Sequence, residues 1–488
     1  METVAPEDKC LDVIVVGAGI SGISSAYHIL DRNPDASLKI LEGRADVGGT
    51  WDLFQYPGLR SDSDMHTYGF SFNRWSGTNA LASGAELKRY IKDTWKKCCL
   101  EERTEFQKRV TRAHWETERA RWVLTVTDGN DGTNTKYETR FLVMATGYFE
   151  YERGYRPDFE GAEKFNGEIV HPQQWRDDLD YKDKRVVVIG SGATAVSLVP
   201  SIAGEANHVT LLQRSPTYMI SRPREDRIAQ RLKGVLPERL ATWLHRWRYG
   251  LLTVLYFRYC RLFPDRSSAS LIDSTIEAMG NKPIRSDVTP DYKPWDQRLC
   301  AVQDGDLFEQ VKNGAASVVT GVIERMTESG IRLADGTELE ADIIVTATGF
   351  NVQLHGGATL YVDDKETSLG GVIAYRDTLY SGVPNMAGTM GYYNGSWTLK
   401  AELQAELIGR IIHKMREQQW DICIPDAANV ELNQSAYFTP GYAVRAAHLL
   451  PGSGTTAPWK SLQSFPLDIF RYRYGSIDHP ALRFSRQR

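Results

Sequence analysis

The chain has 488 residues, 25% of them charged and 42% hydrophobic, with a formal net charge of -4. This length exceeds what one core holds, so two or three domains are predicted, and the composition excludes a disordered chain. The small net charge gives no electrostatic case for nucleic acid. Six scattered cysteines (Cys10, Cys98, Cys99, Cys260, Cys300, Cys423) form no CxxC pair, which argues for a reducing compartment and against a structural metal site.

The leading METVAPEDKC is acidic and has no apolar core, so no signal peptide is expected. Asp12 to Val16 then form an apolar run suited to a buried parallel strand. It enters Gly17, Gly19 and Gly22, a GxGxxG turn, and a helix that ends near Asn33-Pro34. Gly17 permits the tight turn, Gly19 admits a pyrophosphate close to the backbone, and Gly22 lets helix and strand pack closely. The next strand, LKILE, ends in Glu42, whose carboxylate can accept hydrogen bonds from both hydroxyls of a ribose and would repel a 2′-phosphate. The glycines and aromatic of VGGTW favour FAD over NAD at this first turn.

FLVMATG (141–147) predicts a strand with a sharp exit at Gly147. FNGEIVHPQQW follows, with Phe165, Gly167, His171 and Trp175 at fixed spacing. Packing at a loop junction is one reading of His171 and Trp175, and coupling of two domains is the other. The second dinucleotide turn is Gly190, Ser191, Gly192, Ala193, Thr194 and Ala195, a GxGxxA that follows the strand Val186 to Ile189. Its next strand ends in Gln213-Arg214-Ser215 with no acid. Arg214 can pair with a 2′-phosphate and Ser215 can donate to it, so NADPH is expected over NADH; a solvated surface arginine is the alternative.

LATWLHRWRYGLLTVLYFRYCRLF (240–263) mixes bulky apolar residues with four arginines. A helical subdomain with arginine stems packed on apolar surface is expected rather than a membrane-surface helix, and no run is long enough to span a bilayer. A soluble, cytoplasmic protein without membrane association follows as the expectation. ERMTESGIRLADGTELEAD (324–342) predicts a hairpin turning at Asp335-Gly336. IIVTATG (343–349) repeats the Ala-Thr-Gly exit. GVPNMAGTMGYYNGSW then leads into a helical run whose N-terminus can face a flavin, with Trp397 either lining the cavity or packing.

The fold expected is α/β, with two Rossmann-like dinucleotide-binding domains (FAD and NADPH) and a helical insertion in the second. Residues 1–150 and 342–488 are assigned to the FAD domain, 151–341 to the NADPH domain, and about 222–296 to the helical subdomain.

Two further stretches carry a family resemblance. FNGEIVHPQQW resembles the short fingerprint of the Baeyer–Villiger monooxygenases, a branch of the class B flavoprotein monooxygenases. GGTWDLFQYPGLRSD resembles their longer one, with Gly49, Trp51, Tyr56, Pro57, Gly58 and Asp62 at the family spacing. Together with TPDYKPWDQRLC, the latter is most similar to the ethionamide-activating monooxygenase group of mycobacteria. The resemblance implies FAD, NADPH and O2 as cofactors and co-substrate, and a ketone or thioether as substrate. One oxygen atom would enter beside a ketone carbonyl through a C4a-peroxyflavin, giving an ester or lactone.

It further implies Arg298, in PDYKPWDQR, as the cation beside the flavin, with Asp62 as its partner. Gly49, Trp51, Asp62 and Tyr68 are implied as flavin-side contacts, and Phe165, Gly167, His171 and Trp175 as the linker coupling the domains. Arginine suits the catalytic position because it keeps its proton near neutral pH. Two departures stand out: Gln297 replaces the usual lysine, and Arg176 follows the short fingerprint in place of proline or aspartate. The sister enzymes that oxidise sulfur or nitrogen nucleophiles are the nearest alternative, and Trp175 and Asp62 weigh against them. A flavin disulfide reductase needs a close cysteine pair after the first helix, which is missing. A non-enzymatic NADPH sensor would lack a reducible FAD.

Overall fold

The computed structural model describes residues 3–4, 10–77, 79–433 and 440–487. β1 (Leu11–Val16) places Val13, Ile14 and Val15 wholly out of solvent, as its unbroken apolar run requires. α1 (Ile20–Arg32) buries Ile23, Ala26 and Ile29 at helical spacing. β1 pairs in parallel with β2 (Leu38–Leu41) on one side and β3 (Asn134–Met144) on the other. β3 continues antiparallel into Arg121–Asp128 and Lys108–Glu116, whose Trp122 and Trp115 fill the space beneath this ribbon. The whole forms a 12-stranded sheet.

A second sheet is built around β4 (Arg185–Ile189), which leads through its glycine turn into α2 (Ala193–Ile202) and then β5 (His208–Gln213). Five strands lie in the order Ala316–Thr320, β5, β4, Ile343–Thr346, Glu168–Val170, all parallel. Each sheet has hydrophobic clusters of its own, two against the first and two against the second. That separation marks two structural units. A three-stranded ribbon over Ile323–Glu340 turns at Asp335-Gly336 as expected.

The expected boundary between 341 and 342 needs correction. Ile343–Thr346 pairs in register with Val186–Ile189, so the second Ala-Thr-Gly strand completes the second sheet, and the chain returns only at Gly349. Strand partners are chosen by pairing across the sheet, which local sequence does not encode. The two crossings run side by side: Phe149–Gly154 and Phe350–Val352 form an antiparallel pair between the units.

Between β5 and the last strands of the second sheet sits a helical insertion comprising Arg227–Val235, α3 (Glu238–Leu262) and Pro264–Ala278. α4 (Trp397–Glu417) returns to pack along α1, with Leu403, Leu407, Ile408 and Ile411 in the same core as Ile23 and Ile29. The C-terminal stretch folds back on both. Its strand Leu482–Ser485 pairs with Ile422–Pro425, and Phe465 lies on Trp247 of α3 at 5.8 Å between ring centres.

Candidate active site

The two glycine turns are built alike. Gly17 has φ +106° and Gly190 has φ +139°, conformations that side chains disfavour. A Cβ on Gly17 would sit 2.6 Å from the Ala145 carbonyl oxygen, and one on Gly190 would sit 2.3 Å from that of Ala347. Each turn is thus backed by the alanine of an Ala-Thr-Gly exit, which explains why those strands share a sequence. In the first turn the backbones of Gly19 and Gly49 also approach closely; a Cβ on Gly49 would lie 3.2 Å from the Gly19 Cα.

Glu42 follows β2, is 5% exposed and faces the cavity between these glycines. Its Oε2 accepts the Ala18 N–H at 2.6 Å and its Oε1 the Arg44 N–H at 2.9 Å. Burial raises its carboxyl above the ordinary range, against the pull of those two N–H groups. Each oxygen keeps lone pairs free for further donors. A side-chain-free cradle at a helix N-terminus, with an acceptor carboxylate beside it, fits the pyrophosphate and ribose of FAD.

The cavity measures about 1030 Å³ and runs from this cradle past Trp51, Asp62 and Tyr68 to Arg298. The Trp51 indole N–H donates to the Tyr68 hydroxyl at 2.8 Å. The Trp397 indole N–H donates to Ser21 Oγ at 2.8 Å, while its ring stacks on Tyr148 at 5.5 Å. Trp397 therefore lines the cavity and is itself fixed by α1.

Arg298 Nη1 lies 3.5 Å from Asp62 Oδ2. Its other nitrogens donate to the carbonyls of Tyr393 (Nε, 3.1 Å), Tyr392 (Nη2, 3.2 Å) and Gly395 (Nη2, 3.0 Å). Both members of the ion pair are about one-third exposed, and such pairs contribute about 0–1 kcal/mol. Hydrogen bonds to a charged group contribute about 1.5–3 kcal/mol each. The loop 392–395, more than Asp62, fixes the guanidinium in place. Burial works to lower the Arg298 pKa, but the Asp62 carboxylate and nearby tyrosine hydroxyls prevail and raise it. The group stays charged.

That loop is braced by the C-terminal stretch. Tyr392 donates its hydroxyl to Asp468 at 2.8 Å, and Asn394 Nδ2 donates to the Gln463 carbonyl at 2.9 Å. Lys400, 1% exposed as a side chain, binds Asp377 Oδ2 at 2.8 Å on the cavity wall. Sequence reasoning passed over these residues together with Tyr148 and Tyr442. Only Tyr148 carried a signal, standing directly after the first Ala-Thr-Gly. Gln297 sits beside Arg298 in a bridge to Pro294, partly buried.

His355 also lines the cavity, in a left-handed conformation (φ +54°), and burial lowers its pKa from 6.5 to about 4. Between those values the unfolded chain binds more protons than the folded one, so stability rises with pH there. The contribution of His355 should be full above about 6.5 and be lost as the pH drops toward about 4. Urea midpoints over a pH series should show this slope. His355→Asn, which tolerates the same backbone conformation, should flatten it.

The second turn opens α2 to solvent at Gly192 and Ala193, with Ala195 buried against the strand. Ser191 Oγ donates to the Ser215 carbonyl at 3.0 Å and ties the turn to the exit of β5. Arg214 beside it is exposed and has no hydrogen bond or ion pair among the described residues, so its guanidinium is free for an anion. Tyr56 and Gly58 of the long fingerprint reach this unit. Tyr56 Oη is 3.4 Å from Ser197 Oγ, and a Cβ on Gly58 would meet Ser201 Oγ at 1.9 Å.

The short fingerprint lies across the two crossings. His171 Nδ1 accepts the Gln173 N–H at 3.1 Å, which leaves the proton on Nε2, 3.0 Å from the Gly349 carbonyl it donates to. The ring rests on Gly154, where a Cβ would sit 1.9 Å from His171 Cε1. One histidine thus touches both crossing strands, and burial keeps it neutral by lowering its pKa. Trp175 packs near Tyr181 in the second unit's core, while Phe165 lies on the opposite face of that sheet. Gly167 leaves room for the Asp342 carbonyl, which a Cβ would meet at 2.2 Å. Arg176, the departure from the family pattern, pairs with Glu168 and Asp178 at the surface.

Residues 11–240 match the model of the pyridine nucleotide-disulphide oxidoreductases. The FAD-containing monooxygenase EthA of Mycobacterium tuberculosis (strain ATCC 25618 / H37Rv) is 45% identical over 483 residues, 98% of either chain. The chain belongs to the FAD-containing monooxygenases. Among solved structures, an oxidized steroid monooxygenase bound to NADP superposes with a TM-score of 0.75 at 22% identity, covering 98% of this chain and 100% of that one. OTEMO in complex with FAD and NADP gives 0.74 at 20%, with the same coverage. Such identities speak for the fold: two dinucleotide-binding units around one cavity. No cysteine lines that cavity among the described residues.

Proposed function

We propose that this monooxygenase takes NADPH as reductant and inserts one atom of O2 beside a ketone carbonyl, giving an ester or lactone, while the other atom leaves as water. The observation that carries the reading is Arg298: a permanent cation, fixed by three carbonyls and flanked by Asp62, on the wall of an aromatic cavity. Bound FAD, once reduced, supplies the electrons and the activated oxygen. Arg298 holds positive charge where the attacked carbonyl oxygen becomes an anion, and a preorganised donor there lowers the barrier. Trp397 and Tyr148 exclude water from that volume, and Trp51 with Tyr68 orients its inner wall.

Gly17, Gly19, Gly22, Glu42 and Gly49 would hold FAD. Gly190 to Ala195, Arg214 and Ser215 would hold NADPH; the two similar structures are bound to NADP. His171, with Phe165, Gly167 and Trp175, would carry the relative motion of the units, since its ring contacts both crossings. Removing two hydrogen bonds of about 1 kcal/mol each predicts that His171→Ala slows NADPH-dependent turnover by up to about 30-fold with FAD still bound. Stopped-flow reduction rates check this. The free cysteines of the described residues support the reducing cytoplasm as its compartment.

The same cavity admits thioethers, whose sulfur takes an oxygen atom without forming a carbonyl-derived anion. Comparing kcat/KM for a ketone series and a thioether series tests the reading. Esters formed from several ketones are expected; sulfoxides alone, with no ester from any ketone, would overturn it.

A further inference from the structure

α3 reverses the usual arrangement of an amphipathic helix, in which arginines face water and the apolar stripe faces the core. Its arginines at 246 and 248 turn inward. Arg246 binds the buried Glu402 and donates to the Gly69 carbonyl at 2.7 Å, and Arg248 binds the buried Asp226. What faces solvent is Trp243 (50% exposed), Leu251 (43%), Leu252 (54%), Leu255 (60%), Tyr259 (44%) and Leu262 (72%). Positions 251, 255, 259 and 262 share one side of the helix. The patch does not stop at α3. The preceding helix exposes Ile228 and Val235, and the segment seated on α3 through Phe465 exposes Leu467 and Phe470. Exposed large apolar side chains are thus gathered on α3 and on two segments packed against it, and an exposed apolar patch marks an interaction site.

The charges identify what covers it. Of the four arginines in residues 240–263, Arg246 and Arg248 are paired inward and Arg261 binds Asp296, which leaves Arg258. Arg258, and Arg266 just beyond, are exposed and have no ion pair among the described residues. A second copy of the chain, related by a two-fold axis, would bring these arginines toward their own equivalents. A bilayer bearing anionic headgroups instead takes the leucines into its acyl boundary, the arginines at its phosphates, and Trp243 and Tyr259 at headgroup depth.

We infer that α3 lies flat on an anionic lipid surface and docks the enzyme there peripherally. No described helix is long and apolar enough to cross a membrane, which agrees with surface binding rather than insertion. The inner side of the same helix, at Gly250, Thr253 and Val254, lines a small pocket shared with Asp62 and Arg298. α3 thus has lipid on one side and the reaction cavity's rim on the other, a route for substrates that partition into lipid. The membrane contact itself does not rest on the reaction proposed above.

Flotation of the FAD-loaded enzyme tests this with two kinds of vesicle, phosphatidylcholine alone and phosphatidylcholine mixed with phosphatidylglycerol. The enzyme should float with the mixed vesicles, less so at high salt. The double variant Leu251→Glu/Leu255→Glu should lose at least about tenfold in binding while keeping its FAD absorbance and its reduction by NADPH. No flotation with the anionic vesicles, or equal flotation of the variant, would overturn the inference. So would a wild-type dimer that the same variant turns into monomer without any vesicle binding, because the face would then belong to a second copy.

Discussion

Arg298→Ala should keep its FAD and still bleach with NADPH, yet form ester from a ketone about 10²–10³-fold more slowly. The substitution removes a cation from the cavity wall and leaves the cofactor cradle intact, since Gly17, Gly49 and Glu42 lie on other elements. NADPH oxidation should then drain into hydrogen peroxide. Arg298→Lys should recover part of the rate at most, because an ammonium cannot fork toward the carbonyls of Tyr392, Tyr393 and Gly395 together. Asp62→Asn should cost less than either, as the ion pair contributes little against those three bonds. Ester formation at the wild-type rate in Arg298→Ala would remove this residue from the mechanism.

Arg214→Ala should raise KM for NADPH by about tenfold or more and leave NADH nearly unaffected, if the proposed charge-assisted bond to the 2′-phosphate is what the exposed guanidinium supplies. The side chain is exposed and engages nothing else among the described residues, so stability should not change. Initial rates with both nucleotides measure the preference. Equal loss with both would show that Arg214 acts on the fold of the turn instead. Gln297, next to Arg298, offers a second handle: Gln297→Lys adds a cation where the Baeyer–Villiger resemblance implies a lysine and should lower KM for NADPH.

How much of this was legible in the sequence follows from how local each requirement is. Gly17, Gly22 and Gly190 answer to backbone geometry within a few residues, and the turns they form could be read directly. Glu42 and Arg214 sit at a fixed remove from those turns, at the ends of strands that the Rossmann arrangement dictates. Arg298 and Asp62 are indicated by resemblance alone; nothing in their separation of 236 positions says that they meet at 3.5 Å. The carbonyls that fix Arg298, and the bracing of their loop by Gln463 and Asp468, come from a C-terminal stretch with no motif. Their partners are chosen by packing across the whole chain. The misplaced boundary at 341/342 has the same origin, since Ile343–Thr346 chose β4 as its neighbour. The outward apolar face of α3 was hidden for a different reason: composition showed leucines and arginines together, but not that Glu402 and Asp226 would draw Arg246 and Arg248 inward.

On the proposed reading, the cavity beside Arg298 directs oxygen to a carbonyl. Turnover of a ketone with NADPH under ¹⁸O2 tests it most directly, with product mass and NADPH consumption measured together. One labelled oxygen per ester, in the ring or chain position rather than the carbonyl, with one NADPH consumed per product, is the predicted result. NADPH consumed with only hydrogen peroxide released, or unlabelled ester, would contradict it.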